Sequence, residues 1–256
     1  MFGQTPAPMN AADGALLAAA GVVTGAINAV AGGGSLISFP AMLATGLSPL
    51  SANVSNLIAT LPGYVSAAAT SREELAGQRA RVRALAAAGA VGAAVGTTLL
   101  LVGPADTFAV LAPWLILLAC ALLAIQPFVS RWVSRSAHHT APTRLVVSVG
   151  IASIYGGYFG AGLGIILLAA LGLTLDEPLQ KLNAIKQVLS LTVAIVSAVG
   201  VALFGPVSWL SVLVVGAGTL VGGRLGVGVA RRLPERVLRG AVIGLGVTVA
   251  VVLLVR

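Results

Sequence analysis

Ala31-Gly32-Gly33-Gly34-Ser35 stands near the middle of an apolar stretch, 14–46, that is too long for one membrane crossing. A single helical crossing needs about 20 residues. Ala161-Gly162-Leu163-Gly164 stands in the same way within 144–174, the other over-long apolar stretch. The two are related by a shift of 130 positions, which places Ala31 onto Ala161, Gly32 onto Gly162 and Gly34 onto Gly164. The same shift places Asn53 onto Asn183 and Asn56 onto Lys186. Two halves that carry the same glycine break and the same polar cluster, in an apolar chain, have the signature of a membrane transporter with its site between repeats.

Composition agrees. The chain of 256 residues is 58% hydrophobic and 9% charged, with a mean hydropathy of +1.03. A soluble domain cannot bury that much apolar surface. The net charge of +8 raises nucleic acid as a partner, but the basic residues sit between apolar runs and form no face with interleaved aromatics, so nucleic acid is excluded. Cys120 is the single cysteine, so no intrachain disulfide forms. The first 71 residues hold no Lys or Arg, so the basic region of a signal peptide is missing and the first apolar run is expected to be retained.

Apolar segments run over 14–46, 52–71, 84–103, 108–130, 144–174, 180–204, 207–230 and 237–255. Eight simple crossings would divide the cations between the loops 8 to 5. If each long segment enters, turns at its glycines and returns, the division becomes 12 to 1, with Arg224 and Lys186 inside spans. The positive-inside bias favours the second arrangement. It places both termini outside and the 72–83, 131–143 and 231–239 loops inside. The expected fold is therefore all-α and polytopic: two inverted repeats, 1–130 and 131–256, each a glycine-broken hairpin segment plus three transmembrane helices. The arms after the breaks, 35–46 and 163–174, are about 18 Å long as helices, roughly half a bilayer.

Each break exposes the N–H groups and partial positive charge of a half-helix toward the membrane centre, and both favour anions. Close packing is the competing explanation for the glycines, because small residues let membrane helices approach. A dinucleotide loop would need a strand–turn–helix unit that this composition does not supply. Gly92 and Gly96, and Gly218 and Gly222, are read as packing pairs. In the polar clusters, i, i+3 spacing puts Asn53 and Asn56 on one helix face, and Asn183 and Lys186 on another. Lys186 lies among apolar neighbours, so it either serves a site or snorkels to the interface. The seven acidic residues all lie away from the span centres, which tilts the substrate toward an anion. The candidate substrate-binding set is Gly32, Gly33, Gly34, Ser35, Asn53, Asn56, Gly160, Gly162, Gly164, Asn183 and Lys186. Arg224, Tyr155 and Tyr158 are left open as cavity residues. No nucleophile–base pair points to an enzyme, no cofactor is expected, and His138-His139, without other ligands nearby, is read as solvated rather than as a metal site.

The run 25–40, with its three glycines, an apolar stretch and Pro40, resembles the opening signature of the TauE/SafE sulfite exporter family, also called toluene sulfonate uptake permeases. Tyr155-Gly156-Gly157-Tyr158-Phe159-Gly160-Ala161-Gly162-Leu163-Gly164, continuing to Asn183-Ala184-Ile185-Lys186, is similar to its second signature, and Ala230-Arg231-Arg232-Leu233-Pro234 to its ending. Asn53-Val54-Ser55-Asn56 departs from the Thr/Ser-rich version of that cluster. The resemblance implies inner-membrane transport of sulfur-containing anions such as sulfite, sulfonates or sulfoacetate. It carries over to Gly32, Gly33, Gly34, Pro40, Gly160, Gly162, Gly164, Asn183 and Lys186. The expected partners are the small anion, the lipid bilayer and a coupling ion, H+ or Na+. A homo-oligomer is left open, as are a small-anion channel and a non-transporting membrane scaffold.

Overall fold

The computed structural model describes residues 9–30, 33–70, 73–75, 77–133, 142–230 and 235–255. Eleven α-helices and one 3-10 turn, Glu73–Leu75, account for nearly all of them, with no strand among the described residues. The first half holds α1 (Ala11–Val30), α2 (Ser35–Ala44), α3 (Pro49–Ala59), α4 (Leu61–Thr70), α5 (Arg79–Val102) and α6 (Ala105–Val133). The second holds α7 (Pro142–Tyr158), α8 (Leu163–Gly172), α9 (Leu179–Phe204), α10 (Trp209–Ala230) and α11 (Glu235–Val255). Among the described residues, α1, α5, α6 and α9 are long and apolar enough to cross a membrane.

Both over-long segments break where the glycines stand. α1 and α2 are separated at 31–34, and α7 and α8 at 159–162. The helices that follow, α2 and α8, are 10 residues each, about 15 Å, and cannot span a bilayer alone.

The segment 52–71, read from sequence as one crossing, is instead two helices, α3 and α4, that part at Thr60. The cause is Pro62. It has no N–H for the Ile58 carbonyl, and a proline ring fits only the first turn of a helix. Ser48 opens α3, its hydroxyl accepting from Ser51 N at 3.3 Å, and Pro49 takes the first helical position. Position 192, equivalent to Pro62 under the 130-residue shift, is Thr, and α9 runs unbroken.

Helix neighbours are exchanged between the halves. α1 packs along α10, and its counterpart α7 packs along α5, the counterpart of α10. α2 touches α11 while α8 touches α6, and α6 lies against α11. The backbones at the first two contacts nearly touch. A Cβ at Gly222 would strike the Val22 carbonyl, and one at Gly92 would strike the Gly150 carbonyl. Gly92 and Gly222 are themselves 130 positions apart. The packing pairs expected from GxxxG spacing thus form, and each joins helices from opposite halves.

Two apolar clusters fill the interior. One surrounds Phe39, Phe108 and Phe159 and draws on both halves. The other lies around Leu163, Leu167, Leu189 and Val193, closed on one side by Leu85 and Ala93 of α5.

Candidate functional site

The first break is made by backbone and held by side chains. Gly33 has φ +95, a left-handed conformation that L side chains rarely adopt. Gly34 N donates to Asn28 Oδ1 at 2.9 Å, and Thr24 Oγ1 donates to Gly34 O at 3.0 Å. Asn28 and Thr24 sit on successive turns of α1, so both reach back over the break they precede. Leu36 N and Ile37 N close the first turn of α2 onto the Gly33 and Gly34 carbonyls at 3.0 and 2.8 Å. Gly33, Gly34 and Ser35 are buried there, and Gly32 lies outside the described residues.

The second break turns by different means. Gly160 and Gly162 have φ +81 and +79. The Tyr155 hydroxyl donates to Ala161 O at 2.6 Å across the break. Leu163 N and Ile165 N then start α8 on the Gly160 and Gly162 carbonyls at 3.2 and 2.9 Å. Gly164 is buried in that first turn.

α3 joins the two breaks. Asn53 and Asn56 are buried at 0% and 2% exposure, as their spacing on one face suggested. Asn56 Oδ1 accepts from Ser38 Oγ of α2 at 2.5 Å. Asn53 Nδ2 donates to Tyr158 O, the last residue of α7, at 2.9 Å. Beside this link, Phe39 of α2 meets Phe159 edge-on with ring centroids 5.5 Å apart. The first-half polar cluster therefore touches the arm after one break and the helix end before the other.

The second-half cluster turns inward on itself. Lys186 is 4% exposed, and its Nζ donates to Asn183 Oδ1 at 3.0 Å. The side chain is packed inside the protein rather than laid along its surface. No carboxylate pairs with it among the described residues, where Glu177 is the only acid in an ion pair. Ser55, next to the Asn pair in sequence, points elsewhere: its Oγ accepts from Ser208 N at 2.9 Å in the α9–α10 connection. Arg224 is exposed. Tyr155 and Tyr158 are half-buried and belong to the second break. His138 and His139 lie outside the described residues.

Sequence reading missed Thr24, Asn28 and Ser38. Each is a buried polar side chain within an apolar run, the same signal that drew attention to Asn53. Two amides are left half-satisfied: Asn28 Nδ2 and Asn53 Oδ1 have no partner among the described residues. A buried polar group left unpaired costs roughly 1–3 kcal/mol.

Two glycine breaks each open a short helix, α3 bonds to the helix after one and the helix end before the other, and the buried charge among the described residues is positive. The profile of the family described as sulfite exporter TauE/SafE matches residues 17–253.

The chain belongs to the TauE/SafE family.

It is 27% identical over 247 residues to a probable membrane transporter protein, ORF9, of Sinorhizobium sp, covering 94% of this chain and 92% of that one. It is 29% identical over 212 residues to a probable membrane transporter protein of Haemophilus influenzae, covering 83% of each. The probable membrane transporter protein YfcA of Escherichia coli is 25% identical over 205 residues, covering 80% of this chain and 76% of that one. No solved structure matches significantly. As a TauE/SafE protein with several long apolar helices, the chain is a multi-pass membrane transporter protein.

Proposed function

We propose that this protein is a secondary transporter of small sulfur-containing anions, such as sulfite, a sulfonate or sulfoacetate, working by alternating access around a midplane site between two inverted repeats, 1–130 and 131–256, in the inner membrane. The observation that carries this reading is Lys186. A buried ammonium whose partner is one neutral amide oxygen is electrostatically incomplete. It has two further N–H donors to offer, and an anion completes it. The helix starts at Ser35 and Leu163 add partial positive charge at the two breaks. The family name supports sulfur oxyanions as the class. The exchange of helix neighbours between the halves supports a two-fold arrangement of repeats.

Purified protein in liposomes is expected to show saturable sulfite flux that depends on a counter-ion gradient, H+ or Na+. Flux that rises linearly with concentration would instead make it a channel, and absence of flux for every sulfur anion would defeat the reading. Reporter fusions are expected to place the 72–83, 131–143 and 231–239 loops in the cytoplasm and both ends of the chain outside.

A further inference from the structure

The orientation of the Asn28 amide is fixed by chemistry. A backbone N–H can only donate, so the Asn28 atom facing Gly34 N must be the oxygen, and Nδ2 must be the other branch. That branch is buried, with Asn28 2% exposed, and no described residue accepts from it. It therefore presents two N–H bonds beside the start of α2, within one amide group of the Gly34 N–H.

Asn28 acts as a relay at this helix start. It accepts the leading N–H of the break and offers its own N–H2 in its place, polarised by the bond behind it. Thr24 holds the Gly34 carbonyl on the other side, so the donor is set on a clamped turn rather than a loose loop. The second break has no equivalent. Under the 130-residue shift, position 28 becomes Tyr158 and position 24 becomes Ile154. There the clamping hydroxyl of Tyr155 is itself spent on Ala161 O. The two breaks both turn at left-handed glycines and differ in what they offer: the first leaves a side-chain donor open.

We infer that Asn28 is a substrate-contacting residue, donating from Nδ2 to an oxygen of a small oxyanion lodged beside the start of α2. The inference rests on the anion-transport reading above and names a residue that reading does not include. A paired amide donor selects oxygen-bearing anions over spherical halides, because it rewards direction as well as charge.

Asn28→Asp tests it. The carboxylate still accepts from Gly34 N, so the break stays clamped, and the donor is gone. Sulfite binding is measured on detergent-purified protein by calorimetry and by the ligand-induced rise in melting temperature. Wild type is expected to bind, and Asn28→Asp to lose about tenfold to a hundredfold in affinity. Wild-type affinity in Asn28→Asp overturns the inference while leaving the transport reading intact. Absence of sulfite binding by wild type overturns both. A structure of the wild-type protein with selenite is independent of whether the variant folds and of any repulsion from the new carboxylate. The selenium marks the anion, a selenite oxygen is expected within hydrogen-bond distance of Asn28 Nδ2, and selenite bound elsewhere overturns the assignment.

Discussion

The Lys186 ammonium lies 3.0 Å from the Asn183 side-chain oxygen, one turn back on α9, and both positions answer to asparagines in the first half of the chain. The repeat thus keeps a polar pair, Asn53 with Asn56 and Asn183 with Lys186, and adds a charge on one side only. On the proposed anion-transport reading, that asymmetry puts the charge that meets the anion in the second half.

Replacing Lys186 by Met keeps the length and removes the charge. A hydrogen bond to a charged group contributes roughly 1.5–3 kcal/mol, so sulfite affinity should fall about tenfold to a hundredfold. Lys186→Arg should be milder but not silent, since a planar fork does not replace a point charge. Calorimetry on folded protein checks both, and unchanged affinity in Lys186→Met would remove Lys186 from the site.

Ser38 and Asn56 tie α2 to α3 through one buried hydrogen bond. Ser38→Ala strands the Asn56 oxygen, so it should destabilise by about 1–3 kcal/mol. Adding Asn56→Leu should recover part of that loss, because the stranded group is gone as well. A double-mutant cycle on thermal or denaturant unfolding in detergent reads the coupling. Strict additivity would mean the bond contributes nothing.

Glycines at backbone contacts should differ sharply from glycines in open space. Gly222→Ala and Gly92→Ala drive a Cβ into carbonyls of facing helices and should lower folded yield severely. Nothing lies within 4 Å of a Cβ built at Gly240 or Gly244, so Ala there should be neutral or slightly stabilising, as helix propensity favours Ala by about 1 kcal/mol. Size-exclusion profiles of tagged variants separate the two classes. Equal effects would contradict the tight α1–α10 and α5–α7 contacts.

Outside the spans, Glu177 links the α8–α9 connection to the start of α5. It accepts from Gln78 at 2.7 Å and pairs with Arg81 at 3.1 Å and Lys181 at 3.2 Å. Burial alone would raise its pKa, but the bonds from Gln78, Lys181 and Arg81 together hold it below the ordinary value of 4.5. A depressed carboxyl contributes stability that is fully present above its unfolded pKa and is lost as pH falls through the folded one. Melting temperature should therefore drop below about pH 4.5 more steeply in wild type than in Glu177→Gln. The contribution should not exceed about 1 kcal/mol, because the cations are partly exposed. Identical acid limbs in the two proteins would show that the cluster does not couple the loops.

What sequence could deliver followed from local rules. Apolar length and the glycines located both breaks, since a helix cannot carry a Gly33 or Gly162 conformation through its middle. The i, i+3 rule put Asn53 and Asn56 on one buried face. It could not say that one reaches α2 and the other α7, because those partners are set by packing between distant segments. Asn28 carried the signal of a polar side chain in an apolar run, but its partner is a backbone amide whose position exists only once the break has folded. Pro62, by contrast, was legible, and hydropathy averaged over 52–71 concealed it.

The approach of Gly222 to Val22 joins positions 200 residues apart, and this has a consequence for how the protein is made. At synthesis rates of about 5–20 residues per second, α1 enters the membrane roughly 10–40 s before α10 can meet it. For that interval the groove of α1 around Gly21 and Gly25 is lined by lipid or by the insertion machinery. The same delay, shorter, applies to α5 awaiting α7. A ribosome-bound chain halted before Trp209 should leave positions 21 and 25 open to membrane-soluble crosslinkers, and the full chain should close them. The late-arriving α10 completes α1, so a helix made before α10 is among the last to be folded.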